Sequence, residues 1–417
     1  MIEIKHKQDC CGCSACVQKC PKQCILMIED EEGFLYPKVD LSNCIDCHLC
    51  EKVCPIIYKD VPGDVVACYA AINPDKEVRK VSSSGGVFTM LAEQTIKESG
   101  VVFGASFDEQ WRVCHSSAET LEGLAAFRGS KYVQSNIGNT YKETLHFLNS
   151  GRKVLFSGAP CQIAGLKHYL GKEYENLLTV DFICHGVPSP GVFRSYLEEE
   201  LNNYAAPRSR KKKIISSSSN HHVPEGDILI PQGITITDIR FRDKKEGWKK
   251  FSFTLHLVEE GSGDGKKNTV ILSTIASNNI FMKGFFSDLY LRPSCYNCPS
   301  KSLSSGSDIT IADYWRIERI HPELDDDMGV SAVIVKTEKG VNMSSSFSKE
   351  MILSDFSFIR KYNCPLDKSA TIPNCRIDFF DRWKVDRFDV LIQDLCKKTY
   401  FQMILTKLRS LYLLVKR

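Results

Sequence analysis

Residues 10–21 read CCGCSACVQKCP and residues 44–55 read CIDCHLCEKVCP. Each contains C-x₂-C-x₂-C-x₃-C-P, giving Cys10, Cys13, Cys16, Cys20 and Pro21, then Cys44, Cys47, Cys50, Cys54 and Pro55, at a repeat of about 34 residues. Three closely spaced thiolates wrap one face of an iron–sulfur cubane, and the fourth, turned by its proline, reaches the other cluster. The spacing therefore predicts one [4Fe-4S] cluster on Cys10, Cys13, Cys16 and Cys54, and a second on Cys20, Cys44, Cys47 and Cys50. Structural zinc uses C-x₂₋₄-C pairs separated by a longer loop, which two complete repeats with both prolines do not match. A segment this short cannot stabilise itself on an apolar core, so the clusters act as its core.

The first 60 residues thus read as a two-cluster, ferredoxin-like α+β module, with ILMIEDEEGFLYPKVD supplying two short strands and a turn between the halves. Cys11 and Cys24 fall outside the spacing and read as small residues packed beside the clusters. Such a module moves single electrons, so the rest of the 417 residues should hold what the electrons reach. The nineteen cysteines are odd in number, and MIEIKHKQDCCGC has no apolar signal region. A reducing, cytoplasmic setting with metal-bound thiolates is expected rather than a disulfide framework. The formal net charge of +3 is too small to imply a nucleic-acid partner. No apolar run reaches the roughly 18–20 residues that span a membrane.

Residues 56–65 read as a linker, and an α/β pattern follows. VVACYAAIN (65–73) and VVFGASF (101–107) read as strands, and SSSGGVFTMLAEQTIKESG (82–100) as a helix stopped at Gly100. KVLFSGAPCQIAGLKHYLG (153–171) and LLTVDFICHGVPSPGVFRSYLEEEL (177–201) each run strand, small-residue loop, helix. Two such units in succession predict a parallel sheet, and loops at the carboxyl ends of its strands are where ligands bind. Residues 205–232 are basic and low in complexity and read as an exposed loop, in which His221 and His222 read as solvated. ITITDIRFRD, KKFSFTLHLVE and NTVILSTI read as an antiparallel three-strand run, and SDITIADYW and SAVIVKT as further buried strands. Residues 341–378 carry no interpretable pattern. From about residue 379 the tail is helical in pattern and basic, suited to a membrane surface or a partner, or to packing on its own domain.

Cys295-x-x-Cys298-Pro299 is half of a four-cysteine site with no other cysteine within 60 residues. Spacing alone does not choose its mates among Cys68, Cys114, Cys161, Cys184, Cys364, Cys375 and Cys396. Position favours Cys161 and Cys184, which sit in the two strand-end loops; the rest read as buried thiols.

SSSGGVFT, FRGSKYVQS, FSGAPCQIAGL, DFICHGVPSP, FRDKKEGW, CYNCPSKS and SDITIADYW, in that order, resemble the coenzyme F420 hydrogenase/dehydrogenase beta-subunit family over roughly residues 64–340. The resemblance implies an α/β domain with a mixed sheet, in an amino-terminal part (64–148) and a carboxyl-terminal part (150–340), followed by a 341–417 extension. It also implies a third [4Fe-4S] cluster on Cys161, Cys184, Cys295 and Cys298 beside a bound FAD. SSSGG at a helix start is a plausible phosphate cradle, although it equally suits a routine helix cap. The resemblance favours FAD contacts from Ser83, Ser84, Gly85, Gly86 and Thr89, with Arg128, Ser130 and Lys131 from RGSKYVQS, and Asp308 and Asp313 from SDITIADYW. His185 is a candidate proton donor or a hydrogen-bonding support for Cys184. The expected activity is that of an iron–sulfur flavoprotein oxidoreductase working with a redox partner or small-molecule acceptor; the alternative is an electron-relay subunit of a larger complex.

Overall fold

The computed structural model describes residues 1–206, 227–260 and 267–397. His221, His222 and most of the cations of the tail lie outside the described residues. The strands in chain order are β1 (Ile25–Glu29), β2 (Leu35–Val39), β3 (Ala67–Ala71), β4 (Val101–Phe107), β5 (Val113–Ala118), β6 (Val154–Ser157) and β7 (Leu177–Phe182). They continue with β8 (Ile234–Asp243), β9 (Ser252–Glu260), β10 (Lys267–Ile275), β11 (Ile309–Asp313), β12 (Ser331–Val335) and β13 (Met351–Leu353).

Eight of them form one mixed sheet in the order β13-β3-β12-β11-β7-β6-β4-β5. The central strands β4, β6, β7 and β11 run parallel, and the flanking pairs are antiparallel. A sheet covered on both faces needs continuous apolar strands rather than alternating ones, and β12 is buried at every position. The two faces divide the residues of each strand by parity. Val101, Phe103, Val154 and Phe156 face the helices Thr140–Asn149 and Pro160–Leu170. Val102, Leu155 and Val180 face the helix Val87–Lys97. The sheet takes in β13, so the division expected at residue 340 stops one strand short of it. β8, β9 and β10 form the separate antiparallel sheet read from the sequence. This sheet packs with the helix Pro190–Ala205 and with a helix over 388–397, whose Phe388, Leu391, Ile392 and Leu395 are buried in the same core. Among the described residues, the tail packs on its own domain.

The amino-terminal module is not tethered loosely by residues 56–65. Cys11, Cys13, Ala15 and Val53 share an apolar core with Phe156, Ile163 and Tyr169 of the large sheet's first face. Polar ties ring that contact. Tyr141 N–H donates to Gln18 Oε1 (3.0 Å), Lys19 Nζ to Tyr169 O (2.8 Å), Arg194 Nη2 to Glu29 Oε1 (2.7 Å) and Arg376 Nη2 to Glu32 Oε2 (2.5 Å). At the β1–β2 turn, Gly33 has φ +78°, and a β-carbon there would lie 2.6 Å from the Gly191 Cα. Both the turn conformation and the close backbone approach require glycine.

Gly33→Ala is therefore expected to destabilise the docked module by about 1–3 kcal/mol. Thermal unfolding should start earlier and limited proteolysis should cut first within residues 56–65, while β8–β10 remain protected.

Candidate metal and redox centres

The two cysteine repeats adopt the same local backbone. Gly12 and Ser14 flank Cys13 with φ of 71° and 58°, and Asp46 and His48 flank Cys47 with φ of 48° and 59°. Left-handed residues on both sides of the middle cysteine curl the backbone so that three thiols face inward. Short helices follow, Ala15–Lys19 and Leu49–Lys52, and carry the third cysteine of each repeat inward.

Thiols from the two repeats approach one another. Burial, and then the neighbouring Cys10 and Cys54, push the Cys16 thiol well above its ordinary value. Cys20, Cys44, Cys47 and Cys50 line a second cavity with Ile25 and Val39. Ile2 N–H donates to Cys50 Sγ (3.2 Å), and Cys24 Sγ lies 3.4 Å from Cys20 Sγ. Cys10, Cys13, Cys16 and Cys54, the set that the spacing assigns to one cluster, are termed the inner cage; its Cys13 packs in the core of the large domain. The outer cage reaches the surface at Cys47, which is exposed.

A third cavity lies at the carboxyl ends of the parallel strands. Cys161 stands at the start of the helix that follows β6, and Cys184 two residues beyond β7. Both line the cavity with Cys295, Cys298 and Cys11. The 3₁₀ turn Pro293–Asn297 carries Cys295, whose Sγ accepts from Val187 N–H at 3.5 Å. Ser369 Oγ lies 3.0 Å from the Cys298 amide nitrogen, which donates to it. Burial pushes Cys184 up to about 11 and Cys295 up to about 12. Buried thiols gathered at one place resist ionisation on their own, and bound metal reverses that by deprotonating its ligands. Among the described residues, no three Cys, His, Asp or Glu side chains are gathered tightly enough for a single ion; these five thiols line the walls of a cavity. A polynuclear cluster fits that donor set.

Cys11 is packed beside Cys13, as expected, and also meets a thiol of the third cavity. It is buried, and its thiol interacts with those of both Cys13 and Cys161. It therefore bridges the inner cage and the third cavity. The doubled cysteine at 10–11 was its only sequence signal. Gly165, one helical turn beyond Cys161, permits this approach: a β-carbon there would lie 2.9 Å from both Cβ and Sγ of Cys13.

The expected flavin contacts fall into two groups. Ser83 Oγ accepts from Ser130 N–H (2.5 Å), and Lys131 Nζ donates to the carbonyls of Ala126 and Arg128 (2.8 and 3.2 Å). Burial lowers the Lys131 ammonium to about 8. Asp313, at the carboxyl end of β11, accepts from Arg242 Nη1 (2.5 Å) and Trp248 Nε1 (3.2 Å). Arg128 Nε and Arg242 Nε and Nη2 are buried with no hydrogen-bond acceptor in reach, although the Tyr132 side chain lies beside the Arg242 guanidinium; such donors suit an anionic ligand. Ser84 Oγ and Gly85 N–H are already engaged, donating to Val330 O and Ser331 Oγ. Gly86 caps the helix Val87–Lys97, and Thr89 is buried within it. Asp308 stands apart at the amino end of β11, the opposite end from the cysteine loops. It accepts from Thr179 N–H, Thr179 Oγ1 and Thr337 Oγ1, each at 2.7 Å, and so anchors strands. His185 lines the third cavity, 2.5 Å from Asp288 Oδ1 and edge-on to Phe285.

Comparison with known proteins follows this division of the chain. Residues 9–56 match the 4Fe-4S dicluster domain family. Residues 68–141 and 151–355 match the N-terminal and C-terminal domains of the coenzyme F420 hydrogenase/dehydrogenase beta subunit. Ferredoxins of Mycolicibacterium smegmatis and Saccharopolyspora erythraea are each 38% identical, over 77 and 64 residues. Those matches cover 18% and 15% of this chain, and 61% and 56% of the ferredoxins, less than two thirds of either. The structure of the F420-reducing [NiFe] hydrogenase complex from Methanosarcina barkeri is also similar, at 19% identity and a TM-score of 0.43, over 74% of this chain and 90% of that one.

Cys298→Ser is expected to remove about four irons per chain and leave those of the amino-terminal module. Cys11→Ala should retain them all. Anaerobic iron analysis of the two variants beside the parent protein checks both.

Proposed function

The chain belongs to the coenzyme F420 hydrogenase/dehydrogenase beta-subunit family, with a dicluster iron–sulfur domain at its amino end, and we propose that it is an iron–sulfur flavoprotein oxidoreductase. Electrons would pass between the outer and inner amino-terminal clusters, a third [4Fe-4S] cluster and FAD, to or from a two-electron substrate. The observation that carries this reading is the convergence of Cys161, Cys184, Cys295 and Cys298 on one cavity, a single thiol away from the inner cage.

Bound FAD would exchange electrons in pairs with a substrate and singly with a cluster, which joins the two kinds of transfer. The residues that would hold it are Ser83, Ser130, Lys131, Arg128 and Arg242, whose unpartnered guanidinium donors suit a pyrophosphate. Asp313 fixes the Arg242 fork, and the Arg242 guanidinium also lies 4.5 Å from the Phe251 ring centroid. His185, oriented by Asp288 and Phe285, is the candidate proton-carrying group on the wall of the third cavity. The thiols of Cys161, Cys184, Cys295 and Cys298 would ligate the third cluster, with Lys301 held beside them by the carbonyls of Cys184 and Pro365.

A second reading, an electron-relay subunit, is favoured by the outer rim. Cys47 is exposed there, and Leu41 and Ile45 keep 65% and 57% of their surface in solvent. An apolar rim round a cluster ligand suits docking of a redox partner.

Anaerobically purified protein is expected to hold about twelve irons and about one flavin per chain. Four or fewer irons with stoichiometric zinc would exclude both readings. Bound flavin whose dithionite-reduced form reduces no small acceptor until a second protein is added would decide for the relay.

A further inference from the structure

Arg292 is the most completely buried guanidinium in the described chain, at 1% exposure. Its Nε donates to Cys10 O (2.7 Å), Nη1 to Gln134 Oε1 (2.9 Å), and Nη2 to Leu35 O (3.0 Å) and to Cys10 Sγ (3.4 Å). It also lies 4.3 Å from the Tyr36 ring centroid and 5.4 Å from that of Phe34. Among the described residues, no carboxylate pairs with it. A buried full charge is costly unless something of opposite sign compensates it, and the inner-cage side chain in contact that turns anionic on binding a cluster is Cys10. The same residue organises the third cavity. Its carbonyl accepts from Cys295 N–H (2.8 Å), and its N–H donates to Val187 O (2.9 Å), whose own amide donates to Cys295 Sγ.

Among the described residues, the outer cavity has no buried cation of this kind: Lys22 on its wall is exposed, and the Met1 ammonium is already paired with Asp46 (3.1 Å) and Glu51 (3.0 Å).

We propose that Arg292 is the potential-setting residue of the inner amino-terminal cluster, raising it above the outer one so that electrons collect beside the third cavity. A four-thiolate [4Fe-4S] cluster goes from a formal charge of −2 to −3 on one-electron reduction. A fixed cation and an N–H···S bond stabilise the more negative state and raise the reduction potential. Because the Arg292 backbone also holds the Cys295 turn, one residue joins the inner cluster, through its side chain, to the wall of the third cavity, through its main chain. The inference rests only on the iron–sulfur half of the reading above, not on the flavin.

The test is potentiometric EPR with pulsed EPR on full-length protein. Protein labelled with ¹⁵N-arginine and reduced should show ¹⁵N coupling to one cluster. R292Q should keep its iron while one cluster's midpoint moves to more negative potential and the outer cluster's does not; R292K should move it less. An unchanged midpoint in iron-replete R292Q, or no ¹⁵N coupling in the parent protein, overturns the proposal. Should R292Q lose its clusters, the labelled parent protein still decides by presence or absence of coupling. Iron below about eight per chain in the parent protein would instead contradict the underlying cluster reading.

Discussion

The packing of Cys13 on Gly165 is the contact on which the arrangement turns. Any side chain at position 165 would push the inner cysteine cage off the helix that begins beside Cys161. With glycine there, the cage joins the core of the large sheet, and Cys11 fits between Cys13 and Cys161. The β1–β2 turn then meets Gly191, and Arg292 reaches back 282 residues in sequence to Cys10. A module whose own core would be metal becomes one wall of a larger apolar core. Its distance from the third cavity is thereby fixed by the fold rather than by a linker.

The sheet topology explains why the third cavity lies there. Parallel β6 and β7 deliver their following loops to the same edge, which brings Cys161 and Cys184 together although they are 23 positions apart in sequence. The Pro293–Asn297 turn closes the site from the other side with Cys295. Arg242 and Asp313 lie at the carboxyl end of β11, the next strand along this edge. The dicluster domain, the cysteine cavity and the buried guanidinium donors therefore succeed one another across one end of the sheet.

What the sequence revealed followed the range of each signal. The eight repeat cysteines were legible because the spacing of a cubane is local. The shared cavity of Cys161 and Cys184 was legible because each follows a buried parallel strand, one at the start of the next helix and the other in a loop. Cys11 reads correctly as a buried residue packed beside Cys13, but its contact with Cys161 lies too far away in sequence to be read locally. Asp308 and Asp313 looked alike in SDITIAD, yet they stand at opposite ends of β11, so one anchors Thr179 and Thr337 while the other holds Arg242. β13 escaped notice because a three-residue edge strand has no period to read. The docking glycines and the Arg292 side chain act through contacts distant in sequence, which no local pattern encodes.

The central claim is that the amino-terminal clusters and a third cluster stand in series within one rigid body. EPR of the fully reduced protein tests it most directly. The account predicts spin–spin interaction between the inner cluster and the third, seen as split or broadened lines that simplify in Cys298→Ser while the amino-terminal signals persist. Fully reduced protein showing only the two amino-terminal clusters, with a spectrum unchanged by Cys298→Ser, would contradict it.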